Sequence, residues 1–427
     1  KMVGDPLPAL GWKPFHRQQL VYELPFRKLA VINDHPTVET IMLDREGNFP
    51  KSAIVHELLR PLIGEGVFGQ PGGEPVREVR RLIARMLASL GEKDIAETAE
   101  VVAREYISRW LAAGSGSLPV GLDLSRMTVD VVSECVFGIR FDERQSRRFT
   151  ELFSLYHRRA KPVLLMLSRN RQPIHRNIVR ELGLEEIGRE MRALIRERFM
   201  VNTSPSAAQA PFRKMLENGG FISSDPERAL DEIAVMLLAG HETTASTLSW
   251  LCYELARRPE LQSEASAALA GKATAMFEGR SGDEVVAALT NEVLRLYPPI
   301  GFFLRDSMGQ YDLKDARIAE GSLVLVAPRT LHRHSDYWVD PNTFAPQRWF
   351  NEKPVRGTFI PFGMGARICP GSRFAAIEMA VILRLLLSDT RLSFAGGPEP
   401  MPLWNLTSRP DPDVMLMVAS RHAHGRG

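Results

Sequence analysis

The stretch FIPFGMGARICPGSRFAAIEMA, residues 359–380, sets a single cysteine, Cys369, between a glycine-rich loop and an apolar run of helical period. Gly363 and Gly365 precede the thiol, Pro370 and Gly371 follow it, and Arg367 stands two residues before it. Glycine admits backbone conformations closed to other residues, so such a loop can bring N–H groups close to sulfur. A helix beginning just beyond Cys369 would add its positive end, and both effects favour a thiolate. No Cys or His stands at ligand spacing from Cys369, which disfavours zinc.

The remaining cysteines, Cys135 in VDVVSECVFGI and Cys252 in LSWLCYELA, sit in apolar helical contexts and read as buried structural residues. Three widely separated cysteines argue against a disulfide framework and for a reducing, cytoplasmic setting. At 427 residues the chain forms either two domains or one large, mostly helical domain. The hydrophobic fraction of 44% and charged fraction of 25% are those of a globular protein, and no apolar run is long enough to cross a bilayer. The N-terminal GDPLPALGWKPF lacks the basic-then-apolar pattern of a signal peptide. A net charge of +3 gives no indication of nucleic-acid binding.

Helical periodicity dominates, as in residues 187–200, and NTSPSAAQAP at 202–211 reads as a flexible surface connection. Strand-like composition is confined to residues 20–43 and 300–327, broken by turn signals at Asn33-Asp34 and Glu320-Gly321. The two can belong to one sheet.

Within AVMLLAGHETTASTLSW, residues 234–250, an apolar helix is interrupted by Gly240, His241, Glu242, Thr243 and Thr244. A solvent-facing polar side accounts for any one of them. Together, a small residue, an acid and a hydroxyl in adjacent turns suit a distorted helix beside a ligand and a water channel. Further on, Glu292 and Arg295 of EVLRLYPP share a helix face that Pro298-Pro299 ends, and Arg348 of DPNTFAPQRWF offers a second guanidinium to Glu292 if the chain folds back.

Taken in order, AGHETT, ExxR, FxPxRW and FGMGARICPG resemble the motifs of the cytochrome P450 family of haem-thiolate monooxygenases, and the resemblance runs from about residue 60 onward. It implies a mainly α fold with small β-sheets (α+β), one domain over residues 1–427, and haem b as cofactor. Cys369 would be the proximal iron ligand, with Phe362, Gly363 and Gly371 around it. Arg367, Arg305 and Arg80 would meet the propionates, with Arg81 the alternative to Arg80 because Val76 stands where many relatives have tryptophan. Gly240 would leave room for dioxygen, and Glu242 and Thr243 would form the acid–alcohol pair that delivers protons. His241 is expected to be a core or surface residue. Glu292, Arg295 and Arg348 would form a structural network.

By the same resemblance Met236, Leu237 and Ala239, with Ile300, Gly301, Phe302 and Phe303, line a pocket for a hydrophobic small molecule. Fatty acids, terpenoids, steroids and aromatic natural products all stay open. About one helix and a β-rich tail follow the signature, so electrons would come ultimately from NAD(P)H through a separate ferredoxin or flavoprotein. Arg77, Arg81, Arg85, Lys353, Arg356 and Arg373 could meet such a partner. Peroxygenase, oxidative coupling and gas sensing are the competing functions, and the intact Glu242–Thr243 pair favours dioxygen activation.

Overall fold

The computed structural model describes residues 11–422, apart from 115, 202–205, 207–208, 219–223, 315–316 and 352. Its largest sheet joins the two strand-like regions: β1 (Gln19–Glu23), β2 (Lys28–Ile32), β3 (Phe303–Asp306) and β4 (Leu323–Val326), in the order β1-β2-β4-β3. Only the β2–β4 pairing is parallel, with Leu29 opposite Leu323 and Ile32 opposite Val326. These central strands are continuously apolar because both faces are covered. Leu29, Val31, Leu323 and Leu325 enter the main core, whereas Ala30, Ile32, Val324 and Val326 enter a smaller one with Val38, Ile41 and Met42.

The expected strand over residues 20–43 is corrected in its second half, where α1 spans His35–Leu43. Asp34 marks the start of this helix, its carboxylate accepting the Thr37 N–H at 3.1 Å, with Pro36 in the first turn. The Asn-Asp pair is thus a helix cap rather than a turn between strands.

The helical body comprises α2 (Ala53–Ile63), α3 (Glu74–Ser89), α4 (Glu92–Ala112), α5 (Val120–Phe137), α6 (Glu143–Arg159), α7 (Leu184–Ile195), α8 (Pro226–Ala256), α9 (Gly282–Leu296) and α10 (Ser372–Asp389), with shorter helices between. The periodic segment 187–200 ends as α-helix at Ile195 and continues as one π turn. Most of the connection expected at 202–211 lies outside the described residues. The 31-residue α8 crosses the body, about 46 Å at 1.5 Å per residue. Its N-terminus is capped by Asp225, which accepts from Glu227 and Arg228 N–H, and it packs along α5. A hairpin of β5 (Met401–Trp404) and β6 (Ser408–Asp411) lies against α8. Among the described residues no helix is long and apolar enough to cross a membrane.

Candidate active site

A cavity of about 330 Å³ lies between α8 and the loop before α10, with Cys369 in its wall. The loop is held by the Cys369 N–H donating to Phe362 O at 2.9 Å. Gly363 and Gly365 adopt φ of 73° and 71°, and a Cβ on Gly365 would stand 2.5 Å from Met42 O, so only glycine fits there. Gly371 differs from expectation: its φ is negative and a Cβ would meet Cys369 Sγ only at 3.9 Å. Its contribution is an N–H directed at the sulfur. Burial raises the Cys369 thiol, opposed by that N–H and by Arg80. Cys135 and Cys252, in α5 and α8, are both pushed up to about 12 by burial.

Four cations gather in the wall beside this loop: Arg80, Arg305, Arg367 and Lys51. Arg80 Nε donates to Ala366 O at 3.1 Å and Nη2 to Ile368 O at 2.6 Å, while Arg81 turns outward to Glu74. Arg367 donates to Gln70 O and Pro71 O. Arg305, 4% exposed, is lowered to about 10 by burial and by Arg367. Lys51 is lowered strongly by burial and then by all three arginines. Asp44 partly offsets Arg305 and Arg367. The cluster therefore carries surplus positive charge in a partly buried place and calls for an anion. Sequence reasoning missed Lys51, whose surroundings exist only once residues 51 and 305 meet in a β-bridge.

Gly240, Glu242 and Thr243 of α8 line the same cavity. The expected distortion is not seen; α8 is continuous, and Thr243 Oγ1 donates to Ala239 O at 2.8 Å. Gly240 lines the cavity beside Val132, and a Cβ there would lie 2.9 Å from Val132 Cγ2. Its missing side chain lets α5 approach α8. His241 is a core residue, its Nδ1 donating to Leu237 O at 2.7 Å between the rings of Phe149 and Phe153.

Glu242 is 2% exposed. Its Oε1 accepts the Thr407 hydroxyl at 3.1 Å and pairs with Arg409 Nε at 3.2 Å, whereas Oε2 has no hydrogen-bond partner among the described residues and stands 3.8 Å from His241 Nε2. Burial raises this carboxyl despite Arg409 and Thr407. Glu242 also lines a second cavity, of about 250 Å³ and polar in character, walled by Ser154, His157, Ser246, Ser249, Arg409 and Asp413. Thr407 and Arg409 escaped sequence reasoning because nothing in LWNLTSRPD announces that this hairpin lies on α8.

Met236, Ala239, Ile300, Phe302 and Phe303 line the first cavity, together with Phe362. Leu237 does not: it is fully buried in the main core, one helical position away from the wall. Gly301 is also off the wall, and its absent side chain makes room for the Trp404 ring, which a Cβ would approach to 2.2 Å. Leu62, Ile63, Val67, Phe68, Val132 and Phe153 complete an apolar lining.

Away from the cavity, Glu292, Arg295 and Arg348 come together as one cluster. Glu292 Oε1 accepts from Arg295 Nη2 at 2.8 Å, Arg348 Nε at 3.1 Å and Ala345 N at 2.9 Å. Its Oε2 accepts from Arg295 Nε at 3.0 Å and Trp349 Nε1 at 2.9 Å. Arg295 also donates to the carbonyls of His332, Pro341 and Thr343.

A helical body around an apolar cavity, with a cysteine in one wall and surplus cations beside it, is the frame of an oxidoreductase that holds an anionic, metal-bearing cofactor. The chain belongs to the cytochrome P450 family, whose model matches residues 18–417, and so to the haem-iron monooxygenases. It is similar to pentalenene oxygenase of Streptomyces avermitilis (25% identity, 93% of this chain and 86% of that one). It also resembles sterol 14alpha-demethylase of Mycobacterium bovis (28% identity, 81% of this chain and 78% of that one). The fold matches that of CYP175A1 from Thermus thermophilus, with a TM-score of 0.75 at 23% identity, covering 98% and 96% of the two chains. The family's cofactor is a haem held by a cysteine thiolate, and the residues here fit it: a partly buried cysteine lines an apolar cavity, and beside it stand cations that Asp44 only partly offsets and that two carboxylates would neutralise.

Proposed function

We propose that this protein takes two electrons, ultimately from NAD(P)H, through a separate ferredoxin or flavoprotein and inserts one oxygen atom of dioxygen into a hydrophobic organic substrate. The observation that carries this reading is that Cys369 and the Glu242–Thr243 pair line one and the same apolar cavity. Haem would be held by Cys369, with Phe362 beside it, and by Arg80, Arg305, Arg367 and Lys51 at its propionates; bound there it supplies dioxygen activation, favoured by thiolate donation.

The chain's own residues supply protons and exclude water. Thr243 Oγ1 spends its hydrogen on Ala239 O and so presents lone pairs to the cavity. Glu242, buried and raised toward the neutral form, can hold a proton on Oε2 between the polar cavity and Thr243. Arg409 and Thr407 fix its other oxygen and so keep Oε2 aimed. The exposed cations Arg77, Arg81, Arg85, Lys353, Arg356 and Arg373 offer an acidic electron donor a basic face. Glu292, Arg295 and Arg348 serve folding and haem retention. Three unpaired cysteines suit a reducing, cytoplasmic setting.

The test is a screen of hydrophobic compounds against the haem-loaded protein, following displacement of distal water by absorbance, then NAD(P)H-driven turnover with a surrogate ferredoxin system. Oxygenated product from at least one compound that shifts the spectrum is the expected result. Spectral shifts with no electron-dependent product, but product with added peroxide, would replace this reading with a peroxygenase.

A further inference from the structure

Between α2 and α3 the chain passes over the early turns of α8, and Val67 and Phe68 of this segment line the cavity. Phe68 is also 39% exposed, so the segment stands where the cavity meets solvent. Two adjacent carboxylates of α8 hold it there. Asp231 accepts the Glu65 N–H at 2.8 Å, and Glu232 accepts the Val67 N–H with both oxygens, at 3.0 and 3.3 Å. The approach is close enough to require glycine at two positions: a Cβ on Gly64 would collide with the Asp231 carboxylate, and one on Gly66 with Val235. The far end of the segment is tied by Arg367, which donates to the carbonyls of Gln70 and Pro71.

The two acids differ in their partners. Asp231 pairs with Arg192 of α7 at 2.6 Å, whereas Glu232 has no exposed surface and meets Arg228 Nη2 at 3.2 Å. Arg228 also donates to Glu65 O, so its charge is not spent on Glu232 alone. Of the other charged groups nearby, Arg192 and Arg196 reach Glu227 of α8, and Glu65 on the segment itself meets His56 of α2 at 3.1 Å. Burial raises the Glu232 carboxyl to about 7, while Arg228 and the Val67 N–H oppose the rise and Asp231 adds to it. A segment lifted off α8 would return Glu232 to water and to its ordinary value. The closed form therefore binds the proton more tightly than the open one, and ionisation favours opening.

We infer that Asp231 and Glu232 form a latch on the mouth of the cavity: neutral Glu232 seats residues 64–67 on α8, and its ionisation releases them to admit a ligand. The neutral acid still offers an oxygen to the Val67 N–H. Glu232 is thus a positioning residue that acts through Val67 and ties access to pH.

The test follows cyclohexyl isocyanide, an iron ligand with no titrating group, as it enters the haem-loaded ferrous protein, by stopped-flow absorbance from pH 5.5 to 8. With Glu232 at about 7 when closed and at the usual 4.5 when open, the association rate constant should rise roughly tenfold between pH 5.5 and 7 and level off above. Glu232→Gln keeps the shape of the neutral acid, so its rate should stay at the slow, acid limit throughout. Should the glutamine variant not retain haem, hydrogen exchange at the Val67 amide of the parent reads the same opening. Its protection, taken against the unstructured rate at each pH, should fall about tenfold over the same range, and constant protection would overturn the inference. A parent association rate that ignores pH would do the same, and would leave the monooxygenase reading intact. So would a pH dependence that survives Glu232→Gln, and its loss in His56→Gln would assign it to the His56–Glu65 pair instead.

Discussion

Replacing Glu292 with alanine removes the acceptor of five hydrogen bonds at a residue with no exposed surface. Arg348 is 16% exposed and keeps its bonds to Val339 O and Asp340 O, so water can take up part of its loss. Arg295 has no such recourse. Its guanidinium is fully buried and keeps three carbonyls but no counter-charge, the situation in which breaking a buried pair costs about 3–5 kcal/mol. Against a total stability of about 5–15 kcal/mol this is a large share. Unfolding entropy scaled to this chain length gives a fall in Tm of roughly 3–6 °C, and haem-loaded soluble protein should be largely lost. Glu292→Gln should suffer most of the same loss, because every group aimed at Glu292 is a donor and the amide N–H₂ meets no acceptor. The assay is soluble yield, haem absorbance per protein, and Tm of whatever accumulates. A Glu292→Ala protein with normal haem content and a Tm within about 1 °C of the parent would refute the reasoning.

Cys369→Ala should abolish the ferrous carbon monoxide band typical of thiolate ligation; a variant that keeps the band removes Cys369 as ligand. Thr243→Ala should consume NAD(P)H while releasing hydrogen peroxide in place of product, with substrate affinity almost unchanged; undiminished coupling would discard the relay. Glu242→Gln should slow turnover by roughly 10²–10⁴-fold, the usual cost of a lost proton-transfer group, read as kcat at saturating substrate. Acid should destabilise the fold through its buried neutral histidines. His332 falls from 6.5 to about 3 through burial, so between these values the unfolded chain binds a proton that the folded chain refuses, and stability drops as pH falls. Denaturant titrations of His332→Gln from pH 6 to 4 should show a slope flatter by up to about 1.4 kcal/mol per pH unit, and an unchanged slope would contradict the assignment.

Legibility in the sequence followed the range over which each residue's partners lie. The Cys369 loop could be read because its constraints are local: two positive-φ glycines and a helix start within a few positions. Glu292 and Arg295 were local for the same reason, and Arg348 followed from motif order. Lys51, Thr407 and Arg409 were not legible, since each acquires meaning only from a partner more than a hundred residues away. Leu237 failed for a different reason. Neighbouring helix positions point about 100° apart, so a run of apolar residues does not say which one meets the cavity and which the core. The strand expected after Asn33 failed because Asp serves equally at turns and at helix caps, and only Pro36 in the next turn hints at the second.

The parallel pairing of β2 with β4 has a consequence for biosynthesis. A chain emerging from its N-terminus completes residues 28–32 nearly three hundred positions before residues 323–326 exist to receive them. Loop closure over that span is slow relative to forming helices, so the helical body can assemble while β1–β2 remains a hairpin with one open edge. Lys51 and Arg305, the latter on β3, likewise meet across distant parts of the chain. The anion-binding end of the cavity, with Arg80, Arg305 and Arg367, thus draws on segments from both halves of the chain, and all of them must be in place before it can hold a cofactor's carboxylates. Until then the open edge of β2, with Leu29, Val31 and Ile32 uncovered, is the stretch most in need of protection from pairing with another chain.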